Sequence, residues 1–296
     1  MSAIIAGYAR TPFVRFNGQF ASVPATALGA HAIGFALERA GVAPDDVQLV
    51  VGGQVLQAGA GQNPARQSAV GAGIPLTVPA LTLNAVCLSG MEAVAWAARL
   101  IDAGEIDIAV AVGQESMSLA PHVLGARAGT RYGAIEMLDT VDHDGLRDAF
   151  EHQSMGASTE QGNEDLGLAR AGQDAVAAAS HARAAASADY LADEIAPYTI
   201  TGKRGDTVVS ADDGVRADTT LEVLAGLRPA FSSSGTITAG NSSQITDGAA
   251  AIVLMSPAAA AARGITGLAS IEAHALVAGP DVRLHSQPAN AIVAAL

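Results

Sequence analysis

Short apolar runs alternate with longer amphipathic segments along the first part of the chain. Four apolar runs predict buried strands, at 3–7, 47–52, 81–86 and 106–112. Three longer segments predict helices: Thr26–Ala40, a helix that begins at Pro64, and Ser89–Ala103. Because strands and helices take turns, the pattern predicts βαβ units, an α/β fold class and a largely parallel sheet.

The apolar spacing becomes less regular near Ser118, and charges and glycines are more frequent from there to about Thr246. This region contains one clear predicted helix, Ala169–Ala188, and predicted turns or loops at 202–206 and 231–240. Strand character returns at Ala249–Met255. We therefore expect residues 119–246 to be an insertion into an α/β domain that is formed by residues 1–118 and 247–267.

The last predicted elements are a helix at Pro257–Arg263, a strand that begins within Gly267–Ala278 and a helix at Gln287–Leu296. Residues 268–296 are expected to begin a further α/β domain. The sequence stops within an apolar helix whose partner strand is not predicted. This ending leads us to expect a C-terminally truncated chain.

Composition narrows the classes of function. The 296-residue chain is 50% hydrophobic, and its formal net charge of −13 disfavours binding to nucleic acid. We expect no membrane partner, since no apolar run reaches the roughly 20 residues of a membrane span. One cysteine rules out an intrachain disulfide and, with no basic segment before an apolar core at the N-terminus, favours a cytoplasmic location. One cysteine and unclustered histidines also give no support for a metal or redox site.

The single cysteine, Cys87, lies in the segment Asn84-Ala-Val-Cys-Leu-Ser-Gly90, where a predicted strand ends and a predicted helix begins. Unpaired N–H groups at a helix N-terminus stabilise a thiolate, which is the nucleophilic form of cysteine. Ser89 and Gly90 allow a tight turn and a close approach of a ligand to the backbone. On position alone, a second interpretation stays open: Cys87 is a small buried apolar side chain.

This segment resembles the thiolase segment in which a cysteine takes up the acyl group. Four further segments resemble that family in the same order: Gly61–Gln67, Gly113–Ser118, Arg228–Phe231 and Ala239–Ala249. Each match is weak alone, but five collinear matches cover nearly the whole chain. The chain is therefore identified as a member of the thiolase family, the acetyl-CoA acetyltransferases and acyltransferases.

The resemblance implies a layered αβαβα fold, of which this chain would hold the N-terminal half, the inserted loop domain and the start of the C-terminal half. It implies an enzyme that moves acyl groups between coenzyme A thioesters through an acyl-thioester on Cys87. Coenzyme A thioesters would be substrates, with no cofactor. By analogy, the resemblance also implies a role in fatty acid metabolism and a homodimer or homotetramer.

Five further residues match substrate-binding positions of the family. Leu146, Met155 and Phe231 would lie along the pantetheine arm, Arg216 near the adenine nucleotide, and Ser243 beside a pantetheine amide. The alternatives are ordinary core packing for the three apolar residues and a solvated charge for Arg216. Two departures, Ser154 before Met155 and Asn241-Ser-Ser-Gln244, resemble the broader acyltransferase branches of the family.

Three family segments of the C-terminal half have no match here: an Asn-Glu-Ala-Phe segment, a Gly-His-Pro segment and a second cysteine. The seven histidines occur in no matching context, so none is expected to replace the family's base. We therefore expect a fragment with little or no thiolase activity. The alternative function is a non-catalytic remnant that binds coenzyme A or associates with an intact thiolase subunit.

Overall fold

The computed structural model of the protein describes residues 2–127, 129 and 132–296. The strands of the described chain are β1 Ile4–Arg10, β2 Val14–Arg15, β3 Leu49–Gly53, β4 Ala80–Leu83, β5 Ile108–Glu115, β6 His122–Val123, β7 Leu138–Asp139, β8 Tyr198–Ile200, β9 Thr207–Val209, β10 Thr246–Met255 and β11 Ala269–Ser270. Its α-helices are α1 Ala25–Ala40, α2 Pro64–Gly71, α3 Ser89–Asp102, α4 Met155–Asp165, α5 Arg170–Ala186, α6 Ala188–Glu194, α7 Leu221–Ala225, α8 Pro257–Arg263 and α9 Gln287–Ala295.

One large sheet has the strand order β11-β1-β10-β5-β3-β4, and β2 pairs with β10 at its margin. Strand β3 runs parallel to β4 and to β5. Strand β10 is antiparallel to both of its neighbours, β1 and β5, and β11 is antiparallel to β1. Strands β1, β3, β4 and β5 therefore share one direction, and β10 and β11 oppose it.

Side chains of the central strands alternate between two hydrophobic clusters, one on each face of the sheet. On one face Val50 and Val110 join the apolar side of α1, which includes Leu28. On the other face Val51 and Ala111 join the alanines of α3. The sheet is thus a middle layer with α1, α2 and α8 on one side and α3 on the other.

Local sequence explains where the layer helices begin and end. Helix α1 ends at Ala40, and Gly41 after it adopts the left-handed conformation that favours glycine. Helix α2 begins with Pro64, and the Asn63 side chain accepts a hydrogen bond from the Arg66 N–H group. Helix α3 packs closely because small residues cover its inner side: Ala93, Ala97 and Ala98 are buried.

The chain divides into two compact units. The first unit comprises Met1–Thr140, Ala192–Asp213 and Thr246–Glu272, and it contains the large sheet. The second unit comprises Val141–Leu191, Gly214–Ile245 and Ala273–Leu296, and it is helical. Residues 119–140 and 192–213, which the sequence pattern assigned to the insertion, fall in the first unit. The domain bounds 1–118, 119–246, 247–267 and 268–296 stay predictions.

Three details of the sheet differ from the expectations: its strand directions and the lengths of two strands. The sheet is mixed, since β10 enters antiparallel after the long excursion and no crossover helix forces it to be parallel. The strand predicted at 81–86 ends at Leu83, because the next residues form a turn. The strand predicted within Gly267–Ala278 is limited to Ala269–Ser270, which pairs with the edge of β1.

Candidate active site

Cys87 lies in the short connection between β4 and α3, and its side chain is exposed. The connection runs from Asn84 to Leu88, and α3 begins at Ser89. This geometry excludes the interpretation of Cys87 as a buried apolar side chain. Among the described residues, no side chain forms a hydrogen bond with the Cys87 sulfur. The thiol is therefore open to an incoming reactant at the N-terminus of a helix.

The residue before the cysteine has an unusual backbone. Val86 has a φ of 51°, in the left-handed region that β-branched residues rarely adopt. The Asn84 Oδ1 atom accepts a hydrogen bond from the Val86 N–H group at 2.8 Å. The Ser89 hydroxyl accepts a hydrogen bond from the Ala85 N–H group at 2.9 Å and donates one to the Val86 carbonyl at 2.6 Å. These contacts hold the strained turn that presents Cys87.

Glycines let the start of α3 approach the ends of the sheet strands. A Cβ atom on Gly53, the last residue of β3, would lie 2.3 Å from the Ser89 carbonyl carbon. A Cβ atom on Gly113 of β5 would lie 3.3 Å from the Gly90 Cα atom. Side chains at these positions would push α3 away from the sheet, so the glycines fix where Cys87 stands.

The ends of β5 and β10 carry two carboxylates near this edge of the sheet. Glu115 is the last residue of β5, and its carboxylate accepts hydrogen bonds from the N–H groups of Val55 and Leu56. Asp247 of β10 is fully buried and accepts hydrogen bonds from the Ser118 N–H and hydroxyl groups. Burial raises the pKa of Glu115, the two N–H groups offset part of that rise, and Asp247 adds to it.

The two histidines described in the first unit have partners other than Cys87. His31 is on α1, across the sheet from α3, and its ring packs against Phe35 and Tyr198. Burial lowers the pKa of His31, and hydrogen bonds with the backbone of Ala196 and Pro197 offset part of that decrease. His122 is an exposed residue of β6, 3.9 Å from Asp139. A cleft of about 800 Å³ beside His31 therefore lies on the face of the sheet away from Cys87.

The other predicted site residues belong to the second unit, and three of them converge there. Leu146 and Met155 are half-buried, and they flank a bridge between Arg147 and Ser154. The Ser154 hydroxyl accepts a hydrogen bond from the Ala157 N–H group at the start of α4. The ring of Phe231 packs against Gly156, where an added Cβ atom would lie 2.3 Å from ring carbons. Leu146, Met155 and Phe231 thus surround the start of α4.

Arg216 and Ser243 are exposed residues of two loops that meet. The Gln244 side chain donates a hydrogen bond to the Gly214 carbonyl at 2.9 Å. The Arg216 N–H group donates to His181 Nδ1 at 3.1 Å, and within the described chain its guanidinium forms no ion pair. The side chains of Arg216 and Ser243 are therefore free to contact a ligand, as a surface charge and a surface hydroxyl also would be.

Sequence reasoning did not find the residues that build the turn around Cys87. It placed Ser89 in a tight turn but did not predict the two hydrogen bonds of the Ser89 hydroxyl. It gave no role to Gly53 or Glu115. The signal for Glu115 was a carboxylate at the end of an otherwise apolar strand. For Gly53 the signal was a pair of glycines that ends a buried strand.

This fold and site define an α/β protein that presents an exposed cysteine at the N-terminus of a helix. Residues 3–258 match the family described as "Thiolase, N-terminal domain". The chain belongs to the thiolase family. It has the layered thiolase fold, and it is a member of an enzyme family that transfers acyl groups.

Relatives agree over nearly the whole chain. It is 53% identical to the "Probable acetyl-CoA acetyltransferase" of Mycolicibacterium smegmatis, over 99% of this chain and 76% of that protein. It is 48% identical to the "Acetyl-CoA acetyltransferase" of Cupriavidus necator, over 92% of this chain and 70% of that protein. The crystal structure of the Bacillus anthracis acetyl-CoA acetyltransferase superposes on this chain with a TM-score of 0.95 at 38% identity. The superposition covers 100% of this chain and 75% of the Bacillus anthracis chain.

Two features are absent from the described residues. In that part of the chain, no helix has the length and apolar character needed to cross a membrane. The same residues include no group of three or more His, Cys, Asp or Glu side chains arranged to hold a metal ion.

Proposed function

We propose that the chain takes an acetyl group from acetyl-CoA onto Cys87, as the first half of an acetyl-CoA acetyltransferase reaction. The observation that carries this proposal is the exposed Cys87 thiol on a strained turn directly before α3. The names of the relatives support acetyl-CoA as the acyl donor. The proposal requires no cofactor and no metal.

The chemistry begins with the Cys87 thiolate. Its sulfur attacks the carbonyl carbon of acetyl-CoA and forms a new thioester bond. The bond between that carbon and the coenzyme A sulfur then breaks, and coenzyme A leaves as a thiolate that takes up a proton. The positive end of the α3 dipole favours the negative charge on the attacking sulfur. The strained turn holds the sulfur in place, so little motion has to be frozen during the attack.

The second unit is proposed to hold the coenzyme A portion of the donor. Leu146, Met155 and Phe231 form an apolar surface around the start of α4 that suits the pantetheine arm. Arg216 offers to the nucleotide a cation that has no ion pair within the described residues, and Ser243 offers a hydroxyl to an amide of the arm. These assignments follow the family resemblance, and the convergence of the three apolar residues supports them.

We also propose a cellular location, a metabolic role and an oligomeric state. A single cysteine and bacterial relatives support a cytoplasmic enzyme of fatty acid metabolism. The family resemblance supports a homodimer or homotetramer, which light scattering of the purified chain would detect.

Intact-mass spectrometry after incubation with acetyl-CoA tests the proposal. We expect one acetyl adduct per chain, and no adduct on the Cys87→Ala variant. A second reaction with a Ser210→Ala variant, which changes an exposed hydroxyl elsewhere in the first unit, should give the wild-type result.

A folded wild-type chain that forms no adduct would contradict the proposal. Calorimetric titration with coenzyme A would then test the alternative function, because a remnant that only binds coenzyme A would release heat without becoming acetylated.

A further inference from the structure

The geometry points to Glu115 as a positioning residue for the Cys87 nucleophile, acting through the turn at 54–56 and Asn84. This inference rests on the proposed function, since it concerns the acyl transfer step. Glu115 does not touch the reacting atoms in this account. Its role is to hold the turn at 54–56 in place, and Asn84 of the cysteine segment forms a hydrogen bond with that turn.

The Glu115 carboxylate makes a two-point contact with the turn. One oxygen accepts a hydrogen bond from the Val55 N–H group at 2.9 Å, and the other accepts one from the Leu56 N–H group at 3.1 Å. A carboxylate offers one acceptor oxygen to each of the two adjacent donors, whereas an amide has a single acceptor oxygen. The contact therefore fixes the turn in both position and orientation.

This carboxylate occupies an unfavourable environment for a charge. Burial raises the pKa of Glu115, and the nearby carboxylate of Asp247 adds to the rise. Among the described residues, no cation forms an ion pair with Glu115. A buried anion without a counter-ion costs stability, so packing alone does not account for a glutamate at this position. What it supplies is the pair of directed hydrogen bonds.

A second side chain holds the same turn through its carbonyl group. The Gln54 amide donates a hydrogen bond to the Leu56 carbonyl at 2.9 Å. Gln54 in turn accepts a hydrogen bond from Gln114, which accepts one from Ser68. Side chains alternate along a strand, so Gln114 and Glu115 reach the turn from opposite faces of the sheet. Glu115 extends from the face of Gly113, where α3 packs.

Two hydrogen bonds connect the turn to the end of β4 and to the cysteine segment that follows it. The Gln54 N–H group donates to the Leu83 carbonyl at 3.2 Å. The Asn84 amide donates to the Val55 carbonyl at 3.4 Å, while its Oδ1 atom accepts from the Val86 N–H group. Displacement of the turn would therefore shift Asn84, which supports the strained Val86 directly before Cys87. Small displacements matter, because misplacing a reacting group by about 1 Å can slow a reaction about 100-fold.

The test separates positioning from general stability. Acetylation of Cys87 by acetyl-CoA requires an oriented sulfur, whereas alkylation by the small reagent iodoacetamide requires only an accessible thiol. Wild type, Glu115→Gln and Glu115→Asp would be compared for acetylation over a range of acetyl-CoA concentrations and for alkylation at one iodoacetamide concentration, after denaturation curves have established that each chain is folded. The matched control is Glu105→Gln, which removes one charge at an exposed position of the same unit.

We expect Glu115→Gln to slow acetylation about tenfold to 100-fold, because its amide can accept from only one of the two N–H groups. The acetyl-CoA concentration at half-maximal rate and the alkylation rate should stay close to those of wild type, because neither substrate binding nor thiol access changes. Glu115→Asp keeps the charge but shortens the side chain, so it should be intermediate, and it carries the comparison if Glu115→Gln does not fold.

Two results would overturn the inference while the proposed function stands. One is wild-type acetylation of the folded Glu115 variants, and the other is an equal loss of acetylation and alkylation. If wild type itself is not acetylated, the proposed function fails, and this inference fails with it. The wild-type reaction therefore distinguishes the two failures.

Discussion

At the scale of single residues, the site depends on close backbone approaches as much as on reactive groups. Gly53 meets the first turn of α3, Ser89 holds both ends of the strained turn, and Val86 takes a conformation that β-branched residues avoid. The strain is maintained because hydrogen bonds from two side chains oppose its relaxation. Cys87 is therefore held by a turn that has few alternative backbone conformations.

Gly53→Ala tests the close approach at the end of β3. Its Cβ atom would lie 2.3 Å from the Ser89 carbonyl carbon, so α3 must shift. We expect a loss of about 1–3 kcal/mol in the free energy of unfolding, measured by urea denaturation, together with slower acetylation of Cys87.

The matched control for this prediction is Gly34→Ala, at a half-buried position of α1. An added Cβ atom there meets no atom within 4 Å. Alanine is the better helix former, so this variant should gain about 0.5–1 kcal/mol. Equal stabilities for the two variants would contradict the steric account of Gly53.

The sequence allowed Cys87 to be predicted as the nucleophile, because its type and its position before a helix are visible in one segment. It did not allow Glu115 and Gly53 to be predicted as parts of the site. Their partners, Val55 and Ser89, lie 60 and 36 positions away in the chain. Such contacts depend on strand order, which one sequence does not specify.

At the scale of elements, helix α4 of the second unit is tied to the loop that follows Phe231. The Glu160 carboxylate accepts hydrogen bonds from the N–H groups of Thr236 and Ile237 at 2.7 and 2.6 Å, and from the Thr236 hydroxyl at 2.9 Å. Burial alone would raise the pKa of Glu160, but these hydrogen bonds outweigh it and lower the pKa below its ordinary value of 4.5.

Glu160→Gln should therefore destabilise the chain in a pH-dependent way. Because the folded-state pKa is lowered, the carboxylate contributes stability that is fully present above pH 4.5 and is lost as the pH falls through the folded value. We expect a loss of about 1–2 kcal/mol at pH 7, which narrows as the pH falls below 4.5.

Denaturation curves of wild type and variant at several pH values would measure this difference. Glu164→Gln, an exposed position on the same helix, serves as the control and should show little change. A Glu160→Gln penalty that is constant from pH 7 to pH 3.5 would contradict the assigned role of the charge.

Element boundaries followed the apolar pattern closely in three helices of the first unit. Helices α1, α3 and α8 agree with their predicted spans to within one residue at each end. The errors occur where tertiary pairing decides the structure. The run at 81–86 is mostly apolar, yet it leaves the sheet at Leu83, because its last residues belong to the turn before α3.

At the scale of the whole molecule, the first unit is assembled from three separate stretches of chain. Arg10, at the end of β1, joins two of them. Its guanidinium donates two hydrogen bonds to Asp212, at 2.7 and 2.9 Å, and one to Glu194 at 2.6 Å. Only 8% of Arg10 is exposed, so it fastens the 192–213 stretch to the sheet away from solvent.

Replacing Arg10 with Met should destabilise the first unit strongly. The apolar stem stays, but the two partly buried carboxylates lose their counter-ion. We expect a loss of about 3 kcal/mol in the free energy of unfolding.

Arg263→Met provides the comparison for this prediction. It breaks a more exposed ion pair with Asp46, at 3.5 Å. A surface pair contributes about 0–1 kcal/mol, so urea denaturation should separate the two variants clearly. A cost for Arg10→Met as small as that for Arg263→Met would show that Arg10 does not fasten the unit.

The family was predictable from five short segments because their order is preserved along the chain. The mixed sheet could not be predicted from the sequence, since the apolar pattern of a strand such as β10 does not indicate whether it pairs parallel or antiparallel to its neighbours. The alternation of strands and helices indicated the α/β class, but only pairing in three dimensions determines that β10 lies between β1 and β5.

The central claim is that Cys87 accepts an acetyl group from acetyl-CoA. The most direct test is tandem mass spectrometry of the tryptic peptide Gln67–Arg99, which contains the only cysteine, after a timed reaction with acetyl-CoA. The account predicts an acetyl group on the Cys87 sulfur that hydroxylamine removes, as it removes thioesters. An unmodified peptide from folded protein, or an acetyl group on another residue, would contradict it.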